Sequence, residues 1–467
     1  MTCSRDSLLL AGIVTSLLFL RPFLLPVSAA KLTTLPGFNG ALPFRLETGY
    51  TTVNEVSGAE LFYYFVPSER NPSKDPVLIW LSGGPGCSAF SAFAMDMGPV
   101  KFNVDYFDGN MPSLVANPYS WTMVSNMIFL DWPIGTGFSY SKNADDYEAE
   151  NVNTKELIYK FLRKWFLDHP QYISNPFYLG GDSYGAKMTA FVAHEIAEGN
   201  ENGQQPVINL KGYVIGNGRT GELIEASSEV VHAHDLAIIS DELYELIQTN
   251  CVGEDYFNPK NAVCATHLDT FNAFLSEINS YNVLELNCPE EPPKNKQFPR
   301  AHRSLEESSV ELFGSSSDAE PDCISAPLLC YYWGNNNVTR KALHIKEGTL
   351  GEFHRCKWDL NYTQTIVSSV PYHHNLLSRG YRALIYNGDH DLRIPFIATL
   401  TWIKSLNFSV LEEWRSWKVD SQVAGYTMLF SNNLTYATVK GGSHTAPDNR
   451  PKQTLAMFQR WADYESL

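Results

Sequence analysis

The sequence is short of positive charge, and beyond its N-terminal segment it contains no long hydrophobic run. Lysine and arginine number 35 against 51 aspartates and glutamates, which gives a net charge of −16. An acidic chain repels nucleic-acid phosphates, so we expect no nucleic-acid partner. Of its 467 residues 44% are hydrophobic and 18% are charged, enough for a large buried core, which excludes a disordered or collagen-like protein.

The N-terminal apolar run extends from Leu8 to Leu20 and follows Arg5. It is too short for a helix that crosses ~30 Å of hydrocarbon. Small residues lead up to Ala30, a pattern typical of a secretory signal peptide. We therefore expect residues 1–30 to be cleaved, with an uncleaved signal anchor as the alternative, and no membrane partner after cleavage.

The cysteines have no C-x-x-C pair, so the sequence gives no support for a zinc site. Outside the expected signal peptide their number is odd, and in an oxidising compartment we expect disulfides and one free thiol. These cysteines are Cys87, Cys251, Cys264, Cys288, Cys323, Cys330 and Cys356. N-x-[ST] sequons predict surface glycans at Asn337, Asn361, Asn407 and Asn433.

Strand and helix patterns alternate in the first half of the chain. Aromatic and branched residues predict strands at Leu61–Val66 and Pro76–Leu81, and apolar residues at helical spacing predict a helix over Thr154–Leu167. Strand signals return near the C-terminus, at Ala383–Tyr386 and beyond. This order predicts an α/β fold with a mixed, mostly parallel central sheet and helices on both faces.

The chain between these two strand-rich parts is helical, cysteine-bearing and irregular. We expect a core in two parts, residues 31–220 and 340–467, with an inserted helical cap at residues 221–339. Around residues 290–320 the cap sequence is rich in Pro, Ser and charge, which predicts an exposed, excisable linker.

The segment Gly181–Gly185 has the pattern G-x-S-x-G, between a predicted strand and a predicted helix. In that context the motif forms a tight turn that holds a serine hydroxyl above the sheet. The flanking elements disfavour a chance Gly/Ser turn, so Ser183 is the candidate nucleophile.

A serine nucleophile needs a base and an acid that orients the base. Loops after late strands offer Asp389 or Asp391 as the acid and His444, after a glycine pair, as the base. The glycine-rich loop Leu81–Cys87 follows an early strand, where backbone N–H groups could bind an oxyanion. A phosphate-binding loop is the alternative there, but no G-K-[ST] or G-x-G-x-x-G follows.

Four ordered motifs resemble the plant serine carboxypeptidase-like family, whose members have the α/β-hydrolase fold. The resemblance runs from about Leu35 to the C-terminus and rests on Trp80–Ser88, Gly181–Tyr184, Asn387–Asp391 and Gly441–Thr445. It implies Ser183 as nucleophile, Asp391 as acid and His444 as base, with Asp389 as the alternative acid. The N–H groups of Gly84 and Tyr184 would form the oxyanion hole, and neither a metal nor a cofactor is implied.

Within this family the sequence favours the acyltransferases over the peptidases. Carboxypeptidases of the family bind a free carboxylate with an Asn and two Glu residues, and the matching positions here hold Ser82, Asp96 and Asp182. We expect these residues and Gly83 to bind substrate. The implied reaction moves an acyl group from a 1-O-acyl-β-glucose to a small alcohol or amine through an acyl-serine; a serine carboxypeptidase is the alternative.

The family pattern also implies disulfides Cys87–Cys356 and Cys288–Cys323, while spacing alone makes Cys251–Cys264 plausible. With these three pairs Cys330 would be the free thiol. Basic residues between Cys288 and Cys323 predict proteolytic trimming to two disulfide-linked chains. We expect a protein of the secretory pathway, in the vacuole or outside the cell. Departures from the family at residues 185–187 and 217–220 lie near the expected acyl or acceptor pocket.

Overall fold

A single large sheet dominates the protein. The structure is a computed structural model that describes residues 29–105, 107–292 and 323–467. Its strands are β1 Ala30–Leu32, β2 Leu46–Asn54, β3 Ala59–Val66, β4 Val77–Leu81, β5 Val100–Phe102, β6 Leu114–Ala116, β7 Asn126–Leu130, β8 Ala149–Glu150, β9 Phe177–Asp182, β10 Leu210–Gly218, β11 Tyr362–Thr363, β12 Arg382–Gly388, β13 Val410–Val419, β14 Gln422–Phe430 and β15 Leu434–Val439.

The large sheet has the order β1-β2-β3-β7-β4-β9-β10-β12-β15-β14-β13. Its central strands, from β7 to β15, are parallel. The strands at both margins pair antiparallel. The predicted α/β fold with a mixed, mostly parallel sheet is therefore confirmed.

Helices cover both faces of this sheet. They are α1 Phe90–Ala94, α2 Asn151–Asp168, α3 Ser183–Glu201, α4 Ile224–Asp235, α5 Asp241–Asn250, α6 Ala262–Ser276, α7 Ala326–Asn335, α8 Asn337–Ala342, α9 Val370–Ser378, α10 Phe396–Ser405, α11 Ala446–Asn449 and α12 Pro451–Ala462. Within β3, Phe62 and Tyr64 join one buried cluster, and Tyr63 and Phe65 join the other. This alternation is what a strand buried on both faces requires.

The helices α4 to α6 lie between β10 and β12 in the chain and form a small core of their own. Val230, Ile247, Leu268 and Phe271 are buried there, beside the Cys251–Cys264 disulfide. The cap boundaries at residues 221 and 339 stay a prediction. The predicted signal peptide up to residue 28 and most of the predicted linker, residues 293–322, lie outside the described residues.

In the part of the chain that the structure describes, no helix is long and apolar enough to cross a membrane. Two long strands of the sheet, β2 and β13, were not predicted from the sequence. The C-terminal helix α12 ends at Ala462.

Candidate active site

Ser183 lies at the sharp turn between β9 and α3. Its φ is 51°, a left-handed conformation that is strained for a residue with a side chain. The turn needs glycines on both sides, because a Cβ at Gly185 would lie 1.8 Å from the carbonyl oxygen of Leu81 and one at Gly181 would lie 2.7 Å from Gly185. The geometry is that of a nucleophile elbow, which presents the serine hydroxyl at the top of the sheet.

His444 and Asp391 form a buried hydrogen-bonded pair. The Nδ1 of His444 donates to Oδ2 of Asp391 over 2.7 Å. Burial alone would lower the pKa of His444, but the Asp391 carboxylate, through its charge and its hydrogen bond, raises that pKa above its usual value. With Nδ1 engaged, Nε2 is the nitrogen left to take a proton from Ser183, which lines the same cavity.

The carboxylate of Asp391 is fully buried and held by more than the histidine. Its Oδ2 accepts from Nδ2 of Asn217 over 2.7 Å and from the N–H of Ile394 over 3.2 Å, and its Oδ1 accepts from the N–H of Arg393 over 2.8 Å. Oδ1 of Asn217 accepts in turn from the N–H of Gly388. Asn217 thus fixes the acid from the neighbouring strand, a role that the sequence did not reveal.

Asp389, the alternative acid, does not contact His444. Its Oδ1 accepts from the N–H of Gly441 over 2.6 Å and pairs with the ring of His390 over 2.7 Å. Asp389 therefore braces the acid loop against the base loop, which leaves Asp391 as the residue that orients the base.

The two N–H groups of the expected oxyanion hole flank Ser183. Gly84 has φ +113°, a conformation that side chains rarely adopt, and a Cβ there would lie 2.7 Å from the Gly86 nitrogen. Tyr184 is the second residue of α3, so its N–H has no carbonyl partner within the helix. Its hydroxyl accepts from Asn151 Nδ2 over 2.8 Å, which fixes the residue in place.

A cavity of about 830 Å³ opens beside these residues. On the β4 side of Ser183 it is lined by Ser82, Ser91 and Asp96, all nearly buried. The hydroxyls of both serines have no hydrogen-bond partner, and no hydrogen bond to the Asp96 carboxyl is formed by the described residues. Burial, with the charges of Asp448 and Asp182, raises the pKa of Asp96 well above its usual range.

Asp182, the residue just before the nucleophile, lines the cavity and also accepts hydrogen bonds from neighbouring protein groups. Its Oδ1 accepts from Nε1 of Trp80 over 2.9 Å, and the N–H of Gly83 also donates to its carboxylate. Burial raises the pKa of Asp182 above its usual value. Gly83 itself must be small, since a Cβ there would lie 2.6 Å from Cβ of Ser183.

A short cap segment, Ser280–Val283, binds both catalytic loops through its backbone. The Tyr281 carbonyl accepts from the N–H of His444 over 2.8 Å, and the Tyr281 ring lies edge-on to the imidazole at 5.1 Å. The Ser280 carbonyl accepts from the N–H of Leu392 over 3.0 Å, and the Val283 N–H donates to the backbone carbonyl of His390 over 3.3 Å. No motif in the sequence pointed to this segment.

The expected cysteine pairs are present as Cys87–Cys356, Cys251–Cys264 and Cys288–Cys323, and Cys330 is free and buried. The sequon residues Asn337, Asn361, Asn407 and Asn433 are all exposed. Their side chains are therefore accessible for the glycans that the sequence predicts.

The chain is similar to known proteins over almost its whole length. Residues 36–464 match the family model described as serine carboxypeptidase. Serine carboxypeptidase-like 3 of Arabidopsis thaliana is 43% identical over 443 residues, 94% of each chain. Serine carboxypeptidase-like 19 of the same plant is 44% identical over 444 residues, 93% of this chain and 94% of the relative.

A solved structure of Kex1(delta)p, a prohormone-processing carboxypeptidase from Saccharomyces cerevisiae, has the same fold. Its TM-score is 0.72 at 20% identity, over 93% of this chain and 95% of that chain. The similarity supports the α/β-hydrolase fold.

Proposed function

The chain belongs to the serine carboxypeptidase family, and within this family of enzymes we propose that it is an acyltransferase, which moves an acyl group from a 1-O-acyl-β-glucose to a small alcohol or amine. The observation that carries the proposal is the pair of buried hydroxyls without hydrogen-bond partners at Ser82 and Ser91, which line the cavity beside Ser183 together with the carboxyl of Asp96. Buried hydroxyls without partners are costly unless a ligand satisfies them. Sugar hydroxyls both donate and accept, so they suit this set.

The reaction has two steps that share one set of residues. Ser183 attacks the ester carbonyl while His444 takes its proton, and the N–H groups of Gly84 and Tyr184 stabilise the oxyanion. His444 returns the proton to the departing glucose, which leaves an acyl-serine. The acceptor then loses its proton to His444 and attacks the acyl-serine, and His444 passes that proton to Oγ of Ser183 as the product leaves.

A carboxypeptidase is the second candidate, and the raised pKa of Asp96 favours it. A protonated carboxyl can donate a hydrogen bond to the free carboxylate of a peptide. Against this, the family's peptidases use the longer side chains of Asn and two Glu. Ser82, Asp96 and Asp182 hold their polar groups further back, and a misplacement of ~1 Å can cost 10²-fold in rate.

The proposal is tested with purified protein and a panel of acyl-glucoses. We expect glucose release and a mass increase on the peptide that carries Ser183, followed by transfer to an added alcohol or amine. Ser183→Ala should abolish the mass increase and lower glucose release to at most ~10³–10⁴-fold over water, the residue left by the oxyanion hole and binding, while thermal unfolding stays unchanged. Hydrolysis of blocked dipeptides with no acyl-enzyme from any acyl-glucose would overturn the proposal.

A second experiment changes the donor site. Ser82→Asn with Asp96→Glu should lower transfer from acyl-glucose and raise activity on blocked dipeptides. The control pair, Ser276→Asn with Asp269→Glu, makes the same changes at exposed positions of α6. Transfer that is equal in both double variants would remove Ser82 and Asp96 from donor recognition.

Adding Asp182→Glu to this double variant tests whether Asp182 recognises the substrate or only holds the loop beside Ser183 in place. Asp182 holds Trp80 and Gly83, so a longer side chain will shift the loop beside Ser183. Loss of both activities in the triple variant would support bracing, and a further gain on dipeptides would support recognition.

The family and the disulfides place the protein in the secretory pathway. We propose the vacuole as its destination, which fractionation of the source tissue would test. Recovery in the extracellular fluid alone would contradict it.

A further inference from the structure

The cavity has a second compartment on the far side of Ser183. In the sheet, β9 lies between β4 and β10, so the loop after β4 and the loop after β10 flank the nucleophile on opposite sides. The N–H of Arg219, just after β10, donates to the carbonyl of Ser183 over 2.9 Å. If glucose binds on the Ser82 side of the cavity, the acyl group of the donor lies on the Arg219 side.

Charged side chains line this second compartment together with the apolar side chains of Phe257 and Ile394. Arg219 follows β10, Glu225 and Glu229 lie on α4, and Arg393 follows the catalytic acid. A compartment for a plain aliphatic or aromatic acyl group would present apolar walls. Charges beside these apolar walls therefore indicate an acyl group with an apolar body and a charged or strongly polar end.

The arginines face the cavity, and the glutamates lie behind them. The side chains of Arg219 and Arg393 are 32% and 41% exposed, whereas those of Glu225 and Glu229 are 3% and 10% exposed. The pairs are loose, at 3.4 Å between Arg219 and Glu225 and 3.7 Å between Arg393 and Glu229. Each guanidinium group therefore has a carboxylate behind it and still has N–H donors that a ligand can use.

The carboxylates compensate this positive charge only in part. Glu225 accepts from the hydroxyl of Thr220 and the N–H of Gly221, so it also holds the loop after β10. Burial, with the charge of Asp391 and against the lowering effect of Arg393, raises the pKa of Glu229 to about 7. At mildly acidic pH the compartment therefore has a positive surplus on its exposed face.

We propose that Arg219 and Arg393 select acyl groups with a carboxylate at the end distal to the ester. Guanidinium groups bind carboxylates through paired N–H donors, and these bonds are stronger than bonds between neutral groups. The inference rests on the proposed acyl transfer, because that proposal assigns the opposite compartment to glucose.

The test uses three rigid p-nitrophenyl esters, of 4-carboxybenzoic, 4-methylbenzoic and 4-(aminomethyl)benzoic acid. Release of p-nitrophenol reports acylation of Ser183 without any glucose. We expect kcat/KM for the carboxybenzoyl ester to exceed that for the methylbenzoyl ester. Arg219→Gln and Arg393→Gln should each lower this ratio about tenfold, the size of one charge-assisted hydrogen bond.

Any effect of a substitution on the triad cancels in the ratio of the two kcat/KM values, since both esters use the same Ser183 and His444. The backbone hydrogen bonds of Arg219 and Arg393 are kept in the Gln variants. Arg460→Gln, on α12 and away from the cavity, is the matched control and should leave the ratio unchanged. Equal use of the two esters, a ratio unchanged in both Gln variants, or preference for the aminomethyl ester would each overturn the inference. Because no glucose is involved, these outcomes are distinct from a failure of the glucose-donor proposal.

Discussion

Asp391 is the residue at which the ends of three adjacent strands meet. Asn217 lies at the end of β10, Asp391 comes after β12 and His444 comes after β15. The side chains of Asn217 and His444 both hydrogen-bond to Oδ2 of Asp391. The carboxyl ends of neighbouring parallel strands lie at one edge of a sheet, so residues distant in sequence converge there. The acid thus receives its orientation from the sheet itself.

This arrangement predicts the pH dependence of acylation. The pKa of His444 is raised because the Asp391 carboxylate outweighs the effect of burial. The imidazole acts as a base only when neutral, so kcat/KM should rise with pH through an apparent pKa above ~6.5, the ordinary value for histidine.

Asp391→Asn removes the negative charge beside His444, so the effect of burial dominates and lowers the pKa of His444. The rise of kcat/KM should therefore move to lower pH. The maximal rate should fall by about 10⁴-fold because the amide no longer holds the correct tautomer. A pH–rate profile of acylation for both proteins measures this shift, and a rise at unchanged pH would contradict the assignment of Asp391.

The sequence predicted the triad but not the residues that support it. The motifs around Ser183 and His444 are local, so they are visible in a single sequence. The bond between Asn217 and Asp391 joins residues 174 positions apart and exists only because β10 and β12 are neighbours. In the sequence itself, Asn217 is distinguished only by its place in a segment that departs from the family pattern.

At the scale of elements, the predicted strands were those with unbroken apolar patterns. The sequence of β2 includes Thr, Gly and Glu, and β13 has charged residues and lies at the edge of the sheet with most side chains accessible. Neither shows a clear pattern of a strand buried on both faces, so neither was predicted. The central strands, which position Ser183, were predicted with small errors at their ends.

The segment Ser280–Val283 connects the region between β10 and β12 to the loops of the candidate triad. Its backbone binds the loops of both Asp391 and His444, and the Tyr281 ring packs against the imidazole. Edge-to-face aromatic pairs contribute about 0.5–1.5 kcal/mol. The ring therefore stabilises the productive orientation of the base.

We expect Tyr281→Ala to lower kcat by about two- to tenfold, the rate equivalent of one such aromatic pair. Tyr281→Phe is the matched control, because it keeps the ring and should retain wild-type kcat. The ring is 41% exposed, so thermal unfolding should stay unchanged in both. Equal kcat for the Ala and Phe variants would show that the ring does not position His444.

For the whole molecule, Cys87–Cys356 connects the two parts of the core across 269 residues. The same contact includes backbone bonds from Ser88 to Arg355 and from Lys357 to Gly86, at 2.7 and 2.9 Å. Cys87 lies three residues after Gly84, so the bridge also anchors the oxyanion loop.

Replacing Cys87 and Cys356 by Ser should lower the free energy of unfolding by about 2–5 kcal/mol. It should also lower kcat, because the oxyanion loop loses its anchor. The matched control replaces Cys251 and Cys264, whose bridge spans 13 residues within the cap, and should affect stability alone. Denaturant unfolding and steady-state kinetics measure both effects, and unchanged kcat in the first variant would contradict the anchoring role.

The predicted trimming between Cys288 and Cys323 falls on residues outside the described ones, but the structure determines what a cut there would do. The two pieces would share one sheet, because β10 precedes the cut and β12 follows it. They would also be joined by two disulfides, Cys288–Cys323 and Cys87–Cys356. A trimmed enzyme should therefore keep its fold and its activity.

Mature protein from its natural source should give two bands on a reducing gel and one on a non-reducing gel. A variant without Cys288–Cys323 should still give one non-reducing band, because Cys87–Cys356 alone joins the pieces. Only the loss of both bridges should separate them in denaturant, while the shared sheet holds them together in native buffer. A single band from the mature wild-type protein on a reducing gel would contradict trimming, and two non-reducing bands from the variant without Cys288–Cys323 would contradict the linkage through Cys87.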